Sequence, residues 1–204
     1  METPNYQTLF ATERVPSTLI ETVKVPISDR QKRIFQLIDE EDFSGVTKKV
    51  FHELKMRYKI ATKEYLTEGI LALKQYYAIC FMDNNPHAIS DTLDPFWHSH
   101  ILHTVDYHKF CEKCEIDYMH HVPNDPDNTK ESESLRILYD HTQRVFSKCF
   151  NWVSPVFNDP NTKTENLVCK HYTQTRFVHE GDFAFVEDPF LTQLQYIKES
   201  YGLS

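Results

Sequence analysis

Between Thr62 and Phe81, apolar residues recur at the spacing of one helix face, and this run constrains the fold more than any other segment. The residues on the shared face are Leu66, Ile70, Leu73, Tyr77 and Cys80. A recurrence of about 3.6 residues is typical of an α-helix with one side in the core, whereas a half-buried strand alternates. We therefore predict a long core helix here, ended by the loop at 83–86.

Helix signals also occur on both sides of this run. Further helices are predicted after Ser28, around Val50 and Tyr58, from residue 91 or 94 to about 114, after Asn128, and from Asp188-Pro189 to Gly202. Ser28 with Gln31, and Asn128 with Glu131, have the form of a capping box, in which side chains bond the free backbone N–H groups of a helix start. These signals predict that most of the chain is helical.

A β element is predicted only near the C-terminus. Residues 171–178 and 183–186 have strand-like composition and are separated by the turn residues Glu180, Gly181 and Asp182. Residues 1–27 carry scattered apolar residues and two Val-Pro steps, which predicts an irregular N-terminal arm. The expected fold is therefore mainly α, with a single helical domain over 28–204 and a small β-hairpin near the C-terminus.

The charge balance argues against nucleic acid as a partner. Lys and Arg number 22 against 30 Asp and Glu, which gives a net charge of −8. Such a surface repels phosphate backbones. With four glycines, the sequence also has no glycine-rich phosphate loop. We predict no nucleic-acid binding, and a small molecule or a protein as the partner.

Membrane insertion and export are not expected either. No apolar run approaches the roughly 18–20 residues that span a bilayer. The N-terminus lacks the basic start and apolar core of a signal peptide. Five cysteines are an odd number in such a chain, which indicates reduced thiols in place of disulfides. A cytoplasmic protein is the prediction.

One segment, 94–123, concentrates the residues that carry chemistry. It holds six of the eleven histidines, namely His98, His100, His103, His108, His120 and His121. Imidazole is the commonest metal-binding side chain and titrates near neutrality. The clustering predicts a bound transition metal ion, for which Zn, Fe, Mn and Ni suit the ligand types equally well.

Helix geometry divides the segment into two competing sub-sites. On a regular helix, His98 and His100 are about 200° apart, so at most one of them is predicted to bind any one ion. The first sub-site pairs His100 with His103 at i,i+3 and is completed by His120 or His121. His100 is the preferred ligand, because His103 follows it one turn along the same stripe.

The second sub-site uses the other face of the same helix. It pairs Asp94 with His98 at i,i+4 and is again completed by His120 or His121. Either sub-site offers three protein ligands and one open position, which is the arrangement of catalytic metal sites. The sequence leaves both sub-sites open.

Cys111 and Cys114 lie in the same segment but are interpreted differently. At i,i+3 inside a helix they lack the helix N-terminus that activates a redox pair. We predict that both are buried structural thiols. His108 lies outside both histidine pairings and is predicted to be solvated.

The His-rich segment resembles the glycine-rich domain-containing protein-like family, a domain of unknown function. The matching residues are Asp94, Trp97, His98, His100, Leu102, Thr104, Tyr107, Cys111, His120, His121 and Pro123. The resemblance implies that Asp94, Trp97, His98, His100 and His121 act together, and it implies no particular reaction. The namesake glycine-rich region is absent, and residues 115–119 replace the usual Phe-Gly before the final histidines.

Two functional hypotheses follow. The first is a metal-binding protein, including a metal-dependent hydrolase or an iron-dependent oxygenase, with its site on the His-rich segment. The second is a non-enzymatic helical interaction module whose histidines are internal hydrogen-bonding groups. About one tightly bound ion per chain is expected under the first hypothesis and none under the second.

Overall fold

The computed structural model describes residues 15–58, 62–116, 118–125, 127–172, 177–186 and 191–200. The helices are α1 (Leu19–Thr22), α2 (Asp29–Asp39), α3 (Ser44–Tyr58), α4 (Lys63–Ile79), α5 (Asp94–Leu102), α6 (Thr104–Lys113), α7 (Thr129–Cys149) and α8 (Leu191–Ser200). The strands are β1 (His87–Ser90), β2 (His120–Pro123) and β3 (Leu167–Tyr172), with a short 3-10 helix at Thr164–Asn166. The predicted mainly helical fold is confirmed as one domain with a small antiparallel sheet.

The predicted core helix is confirmed as α4. It packs against α1, α2, α3, α5 and α7. Leu73, Tyr76 and Tyr77 are fully buried, and Leu66 and Ile70 are half-buried. Long apolar and aromatic side chains are buried on nearly all sides of this helix, so α4 contributes strongly to the main core.

The predicted helix starts at 28 and 128 are also confirmed. The Ser28 hydroxyl oxygen accepts the Gln31 backbone N–H at 3.1 Å, and the Gln31 side-chain oxygen accepts the Ser28 N–H at 3.1 Å. Asn128 caps α7 by accepting the Glu131 N–H at 3.2 Å. These side chains satisfy backbone donors that no helical carbonyl reaches.

The β element differs from the predicted hairpin in its pairing. β3 is the central strand of the order β1-β3-β2, and both of its neighbours are antiparallel. Residues 183–186 form no strand, because other groups satisfy their backbone: the Phe185 N–H donates to the Met82 carbonyl at 2.7 Å, and the Phe183 N–H donates to the Gln31 side chain at 3.0 Å. Residues 173–176 of the predicted hairpin lie outside the described residues.

The single helix predicted up to residue 114 is in fact two helices, broken at His103. This residue has φ −83° and ψ 60°, outside the helical region. Its imidazole Nδ1–H donates to the Ser99 carbonyl at 2.7 Å, and that carbonyl is the one the His103 backbone N–H would use in a continuous helix. The backbone N–H instead bonds the His100 carbonyl at 3.0 Å. Competition from the side chain thus ends α5 and lets α6 leave in a new direction.

The chain ends are described in part. Residues 1–14 of the predicted irregular arm lie outside the described residues, and α1 lies within its remaining part. In α8, Leu194 and Ile197 are buried as predicted, whereas its expected boundaries at Asp188-Pro189 and Gly202 lie outside the described residues. Within the described ranges, no helix combines the length and the apolar character needed to cross a bilayer.

Candidate metal centre

Three side chains from three different elements meet at the edge of the sheet, and we call them the Asp94 group. Asp94 is the first residue of α5, His121 lies on β2 and Cys169 lies on β3. One possible ligand atom of each lies within 4.8 Å of the other two. The group therefore offers a carboxylate oxygen, an imidazole nitrogen and a thiol sulfur around one point.

The backbone explains why these residues meet. In the antiparallel β2–β3 pair, His121 is opposite His171 and Pro123 is opposite Cys169. Side chains two residues apart on a strand share a face, so His121 and Cys169 are held on the same side of the sheet. α5 then begins beside them at Asp94, with Pro95 in the first turn of the helix.

Hydrogen bonds already connect the Asp94 group. The His121 Nε2–H donates to Asp94 Oδ1 at 2.9 Å, and the Cys169 thiol donates to the same oxygen at 3.2 Å. Burial alone would raise the pKa of Asp94, but these two bonds hold that pKa below its usual value. The carboxylate is thus ionised at neutral pH and presents a negative charge to the group.

This order of residues argues against a cysteine nucleophile. In a nucleophilic triad the imidazole stands between the nucleophile and the carboxylate. Here the Asp94 carboxylate stands between the Cys169 thiol and the His121 imidazole. Burial, with the nearby Asp94 charge, also raises the pKa of Cys169 well above its usual value, so the thiol lacks nucleophilic character.

The Asp94 group is open to solvent on one side. The side chains of Asp94 and His121 are 22% and 20% exposed, whereas Cys169 is fully buried. His98, one turn after Asp94, is exposed, and its ring centroid lies 5.4 Å from that of His121. The Trp97 ring also packs against His121, with the two ring centroids 5.0 Å apart. An ion held here would keep one face accessible, with a second imidazole beside it.

The other predicted ligands have different surroundings. His100 is 2% exposed and its Nδ1 is hydrogen-bonded to the Tyr77 hydroxyl at 2.8 Å. The rings around it are Phe43, Tyr77, Tyr107 and Phe110. His103 bonds the Ser99 carbonyl, and His120 packs against Tyr118. Within the described residues, neither His100, His103 nor His120 belongs to a three-ligand group.

The structure thus brings together part of the second predicted sub-site. Asp94 and His121 are in contact and His98 is adjacent to them. Because His120 and His121 are neighbours on a strand, their side chains point to opposite faces, and the Asp94 group uses His121. Sequence reasoning missed Cys169, which no spacing rule connects to a segment more than forty residues earlier.

A second group, which we call the Asp83 group, was also missed. It consists of Asp83 after α4, His87 at the start of β1 and His141 in α7, and all three are buried. One sequence signal was present for it. His141 lies three residues after Leu138 and four before Val145, which places a histidine on the core-facing stripe of α7.

The buried cysteines are expected to resist alkylation. None of the five is in a disulfide and all are buried, and burial raises the pKa of both Cys114 and Cys149 to about 12. Iodoacetamide at neutral pH should therefore label the native protein at less than about a tenth of the rate of free cysteine. Mass spectrometry should find five labels after unfolding in urea. Rapid labelling of Cys111 or Cys114 in the native state would contradict the prediction that they are structural thiols.

Comparison with protein-family models gives a match. A family model described as UCP032817-like matches residues 33–147, more than half of the chain. The matched family is uncharacterised, in agreement with a domain of unknown function, but it is not the glycine-rich domain-containing family. The matched range includes the whole Asp83 group, Asp94 and His121, and it ends before Cys169. No curated protein and no solved structure matches the chain.

Proposed function

Since the chain belongs to the UCP032817-like family, for which the match brings no activity, we propose from its own geometry that it is a metal-binding protein with a zinc ion at the Asp94 group. The observation that carries the proposal is the convergence of Asp94, His121 and Cys169 within 4.8 Å on a partly exposed face. Sulfur, nitrogen and carboxylate oxygen are the three ligand types that proteins offer to zinc.

The fit to zinc rests on ligand chemistry and spacing. Ligand atoms around a tetrahedral zinc ion lie about 3.3–3.8 Å apart, so small side-chain rotations suffice from the observed 2.9 Å and 3.2 Å contacts. The thiol selects zinc over the harder ions Mg²⁺ and Ca²⁺, and makes zinc a better match than Mn. On binding, the Cys169 proton would leave to solvent, and the ionised Asp94 would offset part of the ion's charge.

The open face favours a catalytic ion over a closed structural one. Three protein ligands leave one position for water, and a zinc ion lowers the pKa of a bound water to about 7. His98 has an exposed imidazole whose ring centroid lies 5.4 Å from that of His121, and it would be a nearby group able to accept a proton from such a water. We infer a metal-dependent hydrolase, in a reducing compartment such as the cytoplasm, where the Cys169 thiol remains available.

The second candidate is a protein-interaction module, and one observation favours it. Leu102 and Val105 are 55% and 65% exposed where α5 gives way to α6. Where exposed apolar residues form a continuous patch, that patch commonly marks a protein-contact site. If the Asp94 group holds no ion, its hydrogen bonds serve only to join α5 to the sheet, and this second function is the better one.

Zinc retention distinguishes the two candidates, and neighbouring histidines provide matched variants. His121→Gln should lower zinc affinity at the Asp94 group by at least about 100-fold, because it removes one of three ligands. His120→Gln changes the adjacent residue, whose side chain points to the opposite face, and should leave affinity unchanged. Affinity is measured on untagged protein by competition with a chromophoric zinc chelator.

Cobalt substitution identifies the ligand atoms in the same variants. A thiolate ligand gives a near-ultraviolet sulfur-to-cobalt charge-transfer band, which wild type and His120→Gln should show and Cys169→Ser should lack. The proposal is wrong if wild-type protein binds cobalt without this band, or if His121→Gln retains full zinc affinity.

A further inference from the structure

The Asp83 group differs from the Asp94 group in that it is closed to solvent. The side chains of Asp83, His87 and His141 are 1%, 0% and 0% exposed. Asp83 Oδ2 lies 2.5 Å from His141 Nε2 and 3.4 Å from His87 Nε2. The two imidazole rings are stacked at 5.4 Å with an angle of 16° between their planes. Two ring nitrogens thus point at one carboxylate oxygen in the interior.

Thr142 determines which nitrogen of His87 carries the proton. Its hydroxyl has one hydrogen, and the Leu138 carbonyl, an obligate acceptor, lies 2.8 Å away. The hydroxyl oxygen also accepts the Ala88 backbone N–H at 3.2 Å. With the hydroxyl proton used, the 3.1 Å contact with His87 Nδ1 requires His87 to donate. A neutral His87 therefore has a lone pair on Nε2, directed toward the Asp83 carboxylate.

A nitrogen lone pair and a carboxylate oxygen repel each other unless a positive charge lies between them. Burial would raise the pKa of Asp83, but the hydrogen bond from His141 holds that pKa below its usual value. Asn85 Nδ2 donates to the other carboxylate oxygen at 2.9 Å, which fixes the carboxylate plane. A single added proton would join His87 to Asp83, whereas a metal ion would join both imidazoles and the carboxylate at once.

We propose that the Asp83 group is a second metal site, holding a divalent transition ion in a buried His-His-Asp set independent of the Asp94 group. Imidazole nitrogen and carboxylate oxygen are common ligands of zinc and of Fe²⁺. Thr142 and Asn85 act as the outer hydrogen-bond partners that usually orient such ligands. The ion would connect the end of α4, the start of β1 and the middle of α7, so its role is structural.

The two sites differ in sulfur, and this difference separates them experimentally. Full-length Cys169→Ser, stripped with a chelator and titrated with Co²⁺, should still bind about one equivalent, with visible d–d bands and without a charge-transfer band. Wild type should bind about two equivalents and show the sulfur band for one of them. If wild type binds about one equivalent and shows no sulfur band, the Asp94 proposal is contradicted and the Asp83 proposal stands. If Cys169→Ser binds no Co²⁺ while wild type shows the sulfur band, the Asp83 proposal alone is overturned.

Thr142 provides a test that does not remove a ligand. Thr142→Val deletes the acceptor that orients His87 and should weaken Co²⁺ binding at the sulfur-free site by about 10- to 100-fold, with the sulfur band unchanged. Thr142→Ser keeps the hydroxyl and should restore affinity. The proposal is overturned if Thr142→Val binds as wild type does. Nitrogen NMR compares the stripped protein with the protein treated with Co²⁺ or Zn²⁺. The proposal is also overturned if His87 is doubly protonated in both samples.

Discussion

Gly69→Ala is expected to lower the free energy of unfolding by about 2–3 kcal/mol, the usual cost of overpacking a rigid core site less the small helix-propensity gain of alanine. Gly69 lies in the middle of α4, where a Cβ would stand 2.1 Å from Phe96 Cζ and within 2.6 Å of two other ring atoms. The Phe96 ring is fully buried between Tyr65 and Phe157, with ring centroids 5.9 Å and 5.3 Å away. The ring therefore has no space into which it can withdraw.

Urea unfolding measures this cost, and a second glycine provides the matched control. Gly45→Ala also adds one methyl group to a helix, but its Cβ would lie 3.3 Å from the end of the half-buried His103 side chain. That variant should change the free energy of unfolding by less than about 0.5 kcal/mol or raise it slightly. Adding Phe96→Leu to Gly69→Ala should recover part of the loss. Equal urea midpoints for the two single variants would show that Phe96 of α5 does not pack closely against Gly69.

Acidification from pH 7 to pH 5 is expected to remove about 2 kcal/mol of stability through His100 alone. Burial, with the nearby His103 charge, lowers the pKa of His100 from 6.5 to about 4. In the unfolded chain the imidazole takes up a proton near pH 6.5, whereas the folded protein resists protonation until about pH 4. The contribution is therefore complete above pH 6.5 and is lost progressively as the pH falls. At about pH 4 the loss reaches about 3 kcal/mol.

His100→Gln isolates this contribution because glutamine does not titrate and can still bond the Tyr77 hydroxyl. The difference in unfolding free energy between wild type and variant should shrink by about 2 kcal/mol between pH 7 and pH 5, measured with chelator present. His98→Gln is the control on the same helix, since the His98 side chain is exposed. A constant difference between wild type and His100→Gln over this range would mean that His100 takes up its proton as readily inside the fold as in the unfolded chain.

Local signals predicted the helices well because they act over a few residues. The spacing of Leu73 and Tyr77 placed α4, and the side-chain caps at Ser28 and Asn128 placed the starts of α2 and α7. The break at His103 was missed for a physical reason. Periodicity describes backbone hydrogen bonds, and here an imidazole takes the carbonyl that the backbone would have used.

The sites were harder to predict because they depend on remote pairings. Clustering drew attention to Asp94 and His121, which are in contact. It also favoured His100, whose neighbours prove to be aromatic rings, because helical spacing does not reveal what covers a face. Cys169 and His141 enter their groups through the sheet and through α7, and their partners lie far away in sequence.

The placement of β3 between β1 and β2 has a consequence for how the molecule forms during synthesis. Both outer strands leave the ribosome many residues before the strand that each must pair with, and chains elongate at about 5–20 residues per second. Neither strand has a partner during that interval, so the sheet closes late and over long sequence separations, which slows folding. The Asp94 group cannot exist before Cys169 arrives. Metal uptake there would therefore report that β3 is in place, and a nascent chain would carry no Asp94 site before that point.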